Sequence, residues 1–434
     1  MHFGRLPGEK GGVVTSRRRY VGRSLGTALG AASLVAGLAL SAGAPVAAAP
    51  PSAPGITAKT VTVGSISDIS SPVAGLFAGA KTGTEAYFAY INSQGGVNGR
   101  KLILNGMDST FSPGTVTNEA QSIAKNDFAI VGGFSLLDGA EKPIVDANKV
   151  PMVTQALNPT IFDDPNLYSA VPMVSNGGIE GPFKWLKSKY PTAFTALGLI
   201  GDNATPSVTA VENTDRALTQ SLGYKWLYAR DASFTESTFL PDIVKMQNAG
   251  VKLVFEPTVT GNLVNNIAEE MKQQNLNALL VSTTNAYEKD FSPGPAGNGT
   301  LVIGVYALYR GEDAKVVPAV ATLDKWMKKI DPSTQLDIYS LDAWVNAQLF
   351  VQALKAAGPN PTRAGLDAQL NKITSFNANG LISTQNPAKK IPGQCWLVAR
   401  YENGAWQRIA PDPKANFVCS PKGFYPASYS GISR

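Results

Sequence analysis

The chain contains one histidine, His2, and two cysteines, Cys395 and Cys419, which removes most side-chain chemistry at the outset. With no histidine in the body of the chain, Ser–His–Asp hydrolysis and every histidine-containing metal site are excluded there. Ser135, in Gly133-Phe134-Ser135-Leu136-Leu137, lacks the second glycine of a nucleophile elbow and any imidazole base. Asp163-Asp164 precede Pro165 and read as solvated turn residues rather than an acid–base pair. There is no phosphate loop and no Gly-x-Gly-x-x-Gly turn after a strand, so neither a cofactor nor a metal is expected. Hydrogen bonding remains. The segments Gly133–Leu137, Thr154–Asn158, Gly201–Thr205, Glu256–Thr260 and Ser282–Tyr287 are rich in Ser, Thr, Asn and Gln, with Gly or Pro turns. Their hydroxyls, amides and backbone N–H groups could fix a small molecule.

The elements around these segments alternate. Short β-rich runs are predicted at 61–66, 101–104, 128–134 and 150–154, with helices over 75–94, 112–126 and 138–148 between them. A second series places strands at 194–200, 225–229, 252–256, 278–282 and 301–306, with helices near 205–222, 238–249 and 261–274. Helices at 313–330 and 340–358 follow, and Asn403-Gly404 between two β-rich runs signals a hairpin. Strands alternating with helices read as βαβ units, and two such series as an α/β protein of two doubly wound parallel-sheet lobes. In such sheets ligands bind outside the carboxyl ends of the strands, where all five polar segments fall.

The 434 residues are too many for one ordinary domain and, at 44% hydrophobic, ample for a core. The +6 charge is misleading, because residues 1–49 hold six basic residues and one acid. Removing them from the totals of 38 and 32 leaves 32 basic and 31 acidic residues, with no footprint for nucleic acid. Arg17-Arg18-Arg19, an uncharged stretch over 24–43 and Val46-Ala47-Ala48-Ala49 read as a removable export signal of the Sec or twin-arginine kind. Residues 50–59 then read as a mobile lead-in. In an oxidising compartment Cys395 and Cys419 are expected to pair.

The run Ile91-Asn92-Ser93-Gln94-Gly95-Gly96-Val97-Asn98-Gly99-Arg100-Lys101-Leu102 resembles a signature of the branched-chain amino-acid (Leu/Ile/Val) binding-protein family. Those proteins are extracytoplasmic solute receptors of ABC transporters. Asp108 with Ser112-Pro113, Ile130–Ser135, Val150–Thr154 and Leu341-Asp342-Ala343 are similar in order and spacing, and the likeness covers roughly residues 60–385. It implies a type I periplasmic-binding fold whose lobes, joined by three crossovers, close on a ligand. Lobe 1 is expected over 60–174 with 310–385, and lobe 2 over 175–309 with 386–434, the latter carrying the C-terminal hairpin and tail.

By position, the resemblance puts a ligand carboxylate against Ser135 or Leu136 and against Ala156 with Asn158. The acid that pairs with a ligand ammonium is replaced by Thr284, leaving Glu256 as a substitute only if it points inward. Leu76, Phe77, Phe134, Leu136 and Leu137 would suit an apolar or aromatic body, or else form core beneath the loops. Gln155, Asp202, Thr258 and Tyr339 complete the expected ligand set. Ser135 and Glu256 are expected to tolerate substitution without cost to folding, since cleft loops rarely carry the core. The reading is a monomeric, non-enzymatic receptor delivering an amino acid, an amide or an apolar or aromatic carboxylate to an ABC permease. A sensor subunit docking on a membrane kinase, and a hydrolase built on Ser135, are the alternatives.

Overall fold

A computed structural model describes residues 53–70, 75, 77–174, 178–204, 222–233, 235–258, 260–411, 417–419 and 424–425. The expected leader, Leu76 and all but the last residue of the helix predicted near 205–222 lie outside them.

The first layer begins with β1 (Thr60–Ser67), whose residues are nearly all buried, as suits a central parallel strand covered on both faces. α1 (Ala78–Ser93) follows and stops at Gly95-Gly96, both at positive φ, where the Gly96 N–H donates to the Ile91 carbonyl at 3.0 Å. β2 (Lys101–Asp108) pairs in register with β1, and α2 (Pro113–Asn126) starts from Ser112, whose hydroxyl accepts from the Thr115 N–H. β3 (Ile130–Val131), α3 (Lys142–Asn148), β4 (Met152–Val153) and β5 (Leu167–Tyr168) complete a parallel sheet of order β2-β1-β3-β4-β5. The strands expected over 128–134 and 150–154 shrink to two ladder residues each. After β3 the chain bends at Gly132 (φ 69°), and a Cβ on Gly133 would come within 2.6 Å of the Ile66 carbonyl oxygen.

The second layer contains β6 (Gly178–Ile179), α4 (Gly181–Lys189), β7 (Leu197–Asp202), β8 (Trp226–Ala232), α5 (Leu240–Ala249), β9 (Leu253–Glu256), α6 (Gly261–Gln273), β10 (Leu279–Thr283) and β11 (Leu301–Gly304). α4 was not anticipated, because Gly181-Pro182 at its start reads as a turn. The chain then returns to the first layer through α7 (Pro318–Ile330), α8 (Ile338–Ala356) and α9 (Arg363–Leu370). α7 starts five residues later than expected. Asp313, placed in that helix by its sequence pattern, instead occupies a turn, accepting from the Leu308 N–H at 2.7 Å and pairing with Arg408.

β12 (Cys395–Glu402) and β13 (Ala405–Ala410) add an antiparallel hairpin to β11, giving the order β13-β12-β11-β10-β9-β7-β8. Asn403 and Gly404, at φ 51° and 84°, make the expected two-residue turn. β14 (Val418–Cys419) pairs with β12 and carries the Cys395–Cys419 disulfide, and β15 (Phe424–Tyr425) pairs with β6.

α8 is buried almost all round, so it is a core helix rather than an amphipathic one. It lies so close to α1 that a Cβ on Gly83 would collide with the Ser340 carbonyl. Two expectations are corrected here. The lead-in is folded from Ala53 onward, with Ile56 bridging Val61 and the Thr62 N–H donating to the Gly55 carbonyl at 2.8 Å. Asp164 is not a solvated turn residue: it is 2% exposed and takes Lys142 Nζ at 2.6 Å. Burial of that carboxylate is offset by the ion pair and by hydrogen bonds from Asn166.

Candidate functional site

Each sheet changes direction once, and the candidate residues gather at the two places where it does. In the first layer β1 is flanked by β2 on one side and β3 on the other, so a crevice opens beyond the carboxyl ends of β1 and β3. Asp68 follows β1 directly and is fully buried. It accepts hydrogen bonds from the Ser135 hydroxyl at 2.7 Å, from the Leu136 N–H at 2.7 Å and from the Ser109 hydroxyl. Ser135 Oγ in turn accepts from the Leu137 N–H at 3.0 Å.

The neighbouring loop repeats the arrangement. Asp138 accepts from the Leu157 N–H at 2.6 Å and the Asn158 N–H at 3.0 Å. Burial pushes its carboxyl up to about 7 against the lowering pull of those N–H groups, and Asp68 pushes the same way as burial. Glu141 lies behind it and is raised well above the usual carboxylate range, first by burial and then by Asp138, Glu119 and Asp68.

In the second layer the reversal falls between β7 and β9. The Asp202 N–H donates to Thr258 Oγ1 at 2.9 Å, and Asp202 Oδ1 accepts from the Ala204 N–H at 2.9 Å. Glu256 is wholly buried, accepting from the Thr258 N–H at 2.6 Å and from the Ser282 hydroxyl at 2.8 Å. Thr284 turns its methyl group toward Gly304.

At the carboxyl end of the first sheet stands a ring cluster. Phe77 and Phe134 stack with centroids 5.1 Å apart, and Tyr339 meets each edge-on at 4.8 Å. Burial first, then Glu288, Asp337, Asp290 and Asp202, holds the Tyr339 phenol well above its ordinary value, which keeps it a neutral donor. Beside the rings a cavity of about 450 Å³ is lined from the first layer by Phe111, Leu136, Leu137 and Asn158, among others, and from the second by Asn203 and Ala204.

Of the expected ligand set, Leu136 and Asn158 line this cavity, while Phe77 and Tyr339 belong to the adjoining rings. Ser135 and Glu256 are committed to internal hydrogen bonds, and Gln155 accepts from the Ser169 hydroxyl at 3.1 Å. Ala156 packs with Ile161 and Phe162 in the core beneath the loops. The expectation that Ser135 and Glu256 are free of structural duty is therefore corrected: both are buried acceptors in closed networks. Sequence reasoning missed Asp68, Asp138 and Phe111, and reached Asn203 only as part of the Gly201–Thr205 segment. The first two follow or precede segments already singled out, and Phe111 sits in the Asp108–Pro113 stretch at φ 52°, a conformation unusual for a bulky side chain.

Among the described residues no cluster of three or more His, Cys, Asp or Glu could hold a metal ion, and no helix is long and apolar enough to cross a membrane.

Two α/β layers, each reversing direction once beside the cavity, give the chain a type I periplasmic-binding fold. The chain belongs to the periplasmic binding protein family, whose profile matches residues 60–405. It is 24% identical over 369 residues to Leu/Ile/Val-binding protein homolog 1 of Brucella suis biovar 1 (strain 1330), spanning 82% of this chain and 93% of that one. Its fold is similar to that of a fatty acid ABC transporter substrate-binding protein from Thermomonospora curvata (TM-score 0.71, 18% identity, 85% of this chain and 95% of the other). It is also similar to an R. palustris solute-binding protein in complex with 4-hydroxybenzoate (TM-score 0.66, 18% identity, 85% and 97%). Members of the family are solute-binding proteins rather than enzymes, and membership implies an extracytoplasmic location.

Proposed function

We propose that the protein, exported by the signal at 1–49, captures a small organic molecule with an apolar body between two lobes and delivers it to an ABC permease. The lobes are 60–174 with 310–385 and 175–309 with 386–434, and the chain acts as a monomer without catalysis. The observation that carries this reading is the cavity shared by Leu136, Leu137 and Phe111 on one side and Asn203 and Ala204 on the other. A ligand touching both lobes stabilises the closed arrangement by its differential contacts, and the closed surface is what a permease can read. The apolar lining fits an aliphatic or aromatic body, in keeping with the fatty-acid and 4-hydroxybenzoate proteins of the same fold. Ser135, hydrogen-bonded to Asp68 with no imidazole available, gives no support to hydrolysis.

The test is to purify the protein from its own host without denaturation and identify bound small molecules by mass spectrometry. Added back at about 100 times its dissociation constant, a true ligand should raise stability by roughly 2.7 kcal/mol. Ala204→Trp, which fills the cavity from the second lobe, should abolish that shift while leaving the circular dichroism unchanged. A filled cavity that still binds the same molecule equally well would sink the assignment.

A further inference from the structure

Backbone N–H groups of residues that border the cavity are already holding carboxylates of the chain itself. The Leu136 N–H donates to Asp68 at 2.7 Å, and the Leu137 N–H to Ser135 Oγ at 3.0 Å, while the Ser135 hydroxyl is spent on Asp68 at 2.7 Å. Across the crevice the Leu157 and Asn158 N–H groups donate to Asp138 at 2.6 and 3.0 Å. Asp68 and Asp138 are 0% and 3% exposed and neither lines the cavity, so these donors are turned away from it.

We propose that Asp68 and Asp138 are specificity-determining residues that deny the cavity a carboxylate-binding end, so that it takes an uncharged molecule: an apolar body bearing a carbonyl or hydroxyl. This rests on the cavity being the ligand site proposed above. A ligand carboxylate brought to these loops would find donors already occupied and two buried carboxylates immediately behind them, a like-charge approach in a poorly screened interior. Among the described residues no Lys or Arg lines the cavity to compensate. An ammonium gains little either, because the oxygens of Asp68 and Asp138 are enclosed by their own donors. What the lining does present is neutral: the Asn203 amide from one lobe and, from the other, the Asn158 amide, whose Oδ1 already accepts from the Thr160 N–H and hydroxyl and whose NH2 group is left to donate, set among Phe111, Leu136 and Leu137. Neutral amides can pair with a carbonyl or hydroxyl without leaving a charge unmatched.

The test uses matched head groups on constant bodies: 4-hydroxybenzoate, 4-hydroxybenzamide and 4-hydroxybenzyl alcohol; octanoate, octanamide and 1-octanol; leucine beside them. Dissociation constants are measured by calorimetry on the full mature chain at pH 8 and fixed salt. In a series that binds, the amide or alcohol should bind at least tenfold tighter than the matching acid, and leucine should not bind. Asp68→Asn and Asp138→Asn, each checked for fold by circular dichroism, should narrow that ratio tenfold or more. The parent panel stands even if one variant fails to fold. An acid that binds the parent more tightly than its amide overturns the inference and leaves solute capture intact, as does an unchanged ratio in both folded variants. If no probe of any head group binds the parent, the capture reading falls and the inference falls with it.

Discussion

Ser135 Oγ and Asp68 Oδ1, 67 positions apart in the chain, meet at 2.7 Å across the point where the first sheet reverses direction. The bond ties the end of β1 to the loop after β3, so a loop residue is here part of the folded framework.

Ser135→Ala should therefore destabilise the fold. It removes one donor from a buried carboxylate and leaves the Leu137 N–H without its acceptor, at roughly 1–3 kcal/mol. Urea unfolding followed by tryptophan fluorescence reads this directly; an unmoved midpoint would contradict it.

Stability should fall as pH rises from about 4 to about 7. Burial raises Asp138 and Asp342 each to about 7, the latter with Asp337 adding to the rise and the Tyr306 hydrogen bond opposing it. Within that window the folded chain holds protons that the unfolded chain, with carboxyls near 4, has released, so each step up in pH favours unfolding. Glu141 and Glu288, also raised well above the usual carboxylate range by burial, act in the same direction. Asp108 and Asp164 are lowered and act only below the window. Melting temperatures at pH 5.5 should exceed those at pH 8. Asp342→Asn, which can still accept from Tyr306, should flatten part of the slope.

Arg408 and Asp313 form an ion pair in which both side chains are buried, joining β13 to the turn ahead of α7. Arg408→Ala strands the Asp313 carboxylate and should cost about 3–5 kcal/mol, far more than an exposed pair would. Thermal unfolding of the variant beside Lys328→Ala, whose partner Asp324 is exposed, supplies the contrast.

Reducing the Cys395–Cys419 disulfide should lower stability by about 3 kcal/mol through the loop it closes. Two thiols open to alkylation in the exported, non-reduced protein would contradict the pairing.

The fold was legible because its signals are local. The run from Ile91 to Leu102 announces a helix stop and a strand, and Asn403-Gly404 announces a hairpin; each depends on a glycine or asparagine taking positive φ. α9 was hidden by Gly358, Pro359 and Pro361 ahead of its Thr362 cap. The site was harder to read because its chemistry is assembled across distance. Nothing near Asp68 says that its carboxylate meets Leu136, and nothing near Asp138 points to Leu157. Polar composition identified the right loops, whereas which of their donors remain available depends on tertiary contacts.

β15 pairs Phe424 with Ile179 and Tyr425 with Gly178, and Gly178–Ile179 lie on the first stretch of chain running from one sheet to the other. Anything attached beyond Tyr425 is thus mechanically coupled to that stretch. On the proposed lobe closure, a fluorophore placed there would report opening and closing, whereas fixing the same end to a sensor chip would load the very stretch whose movement is being measured.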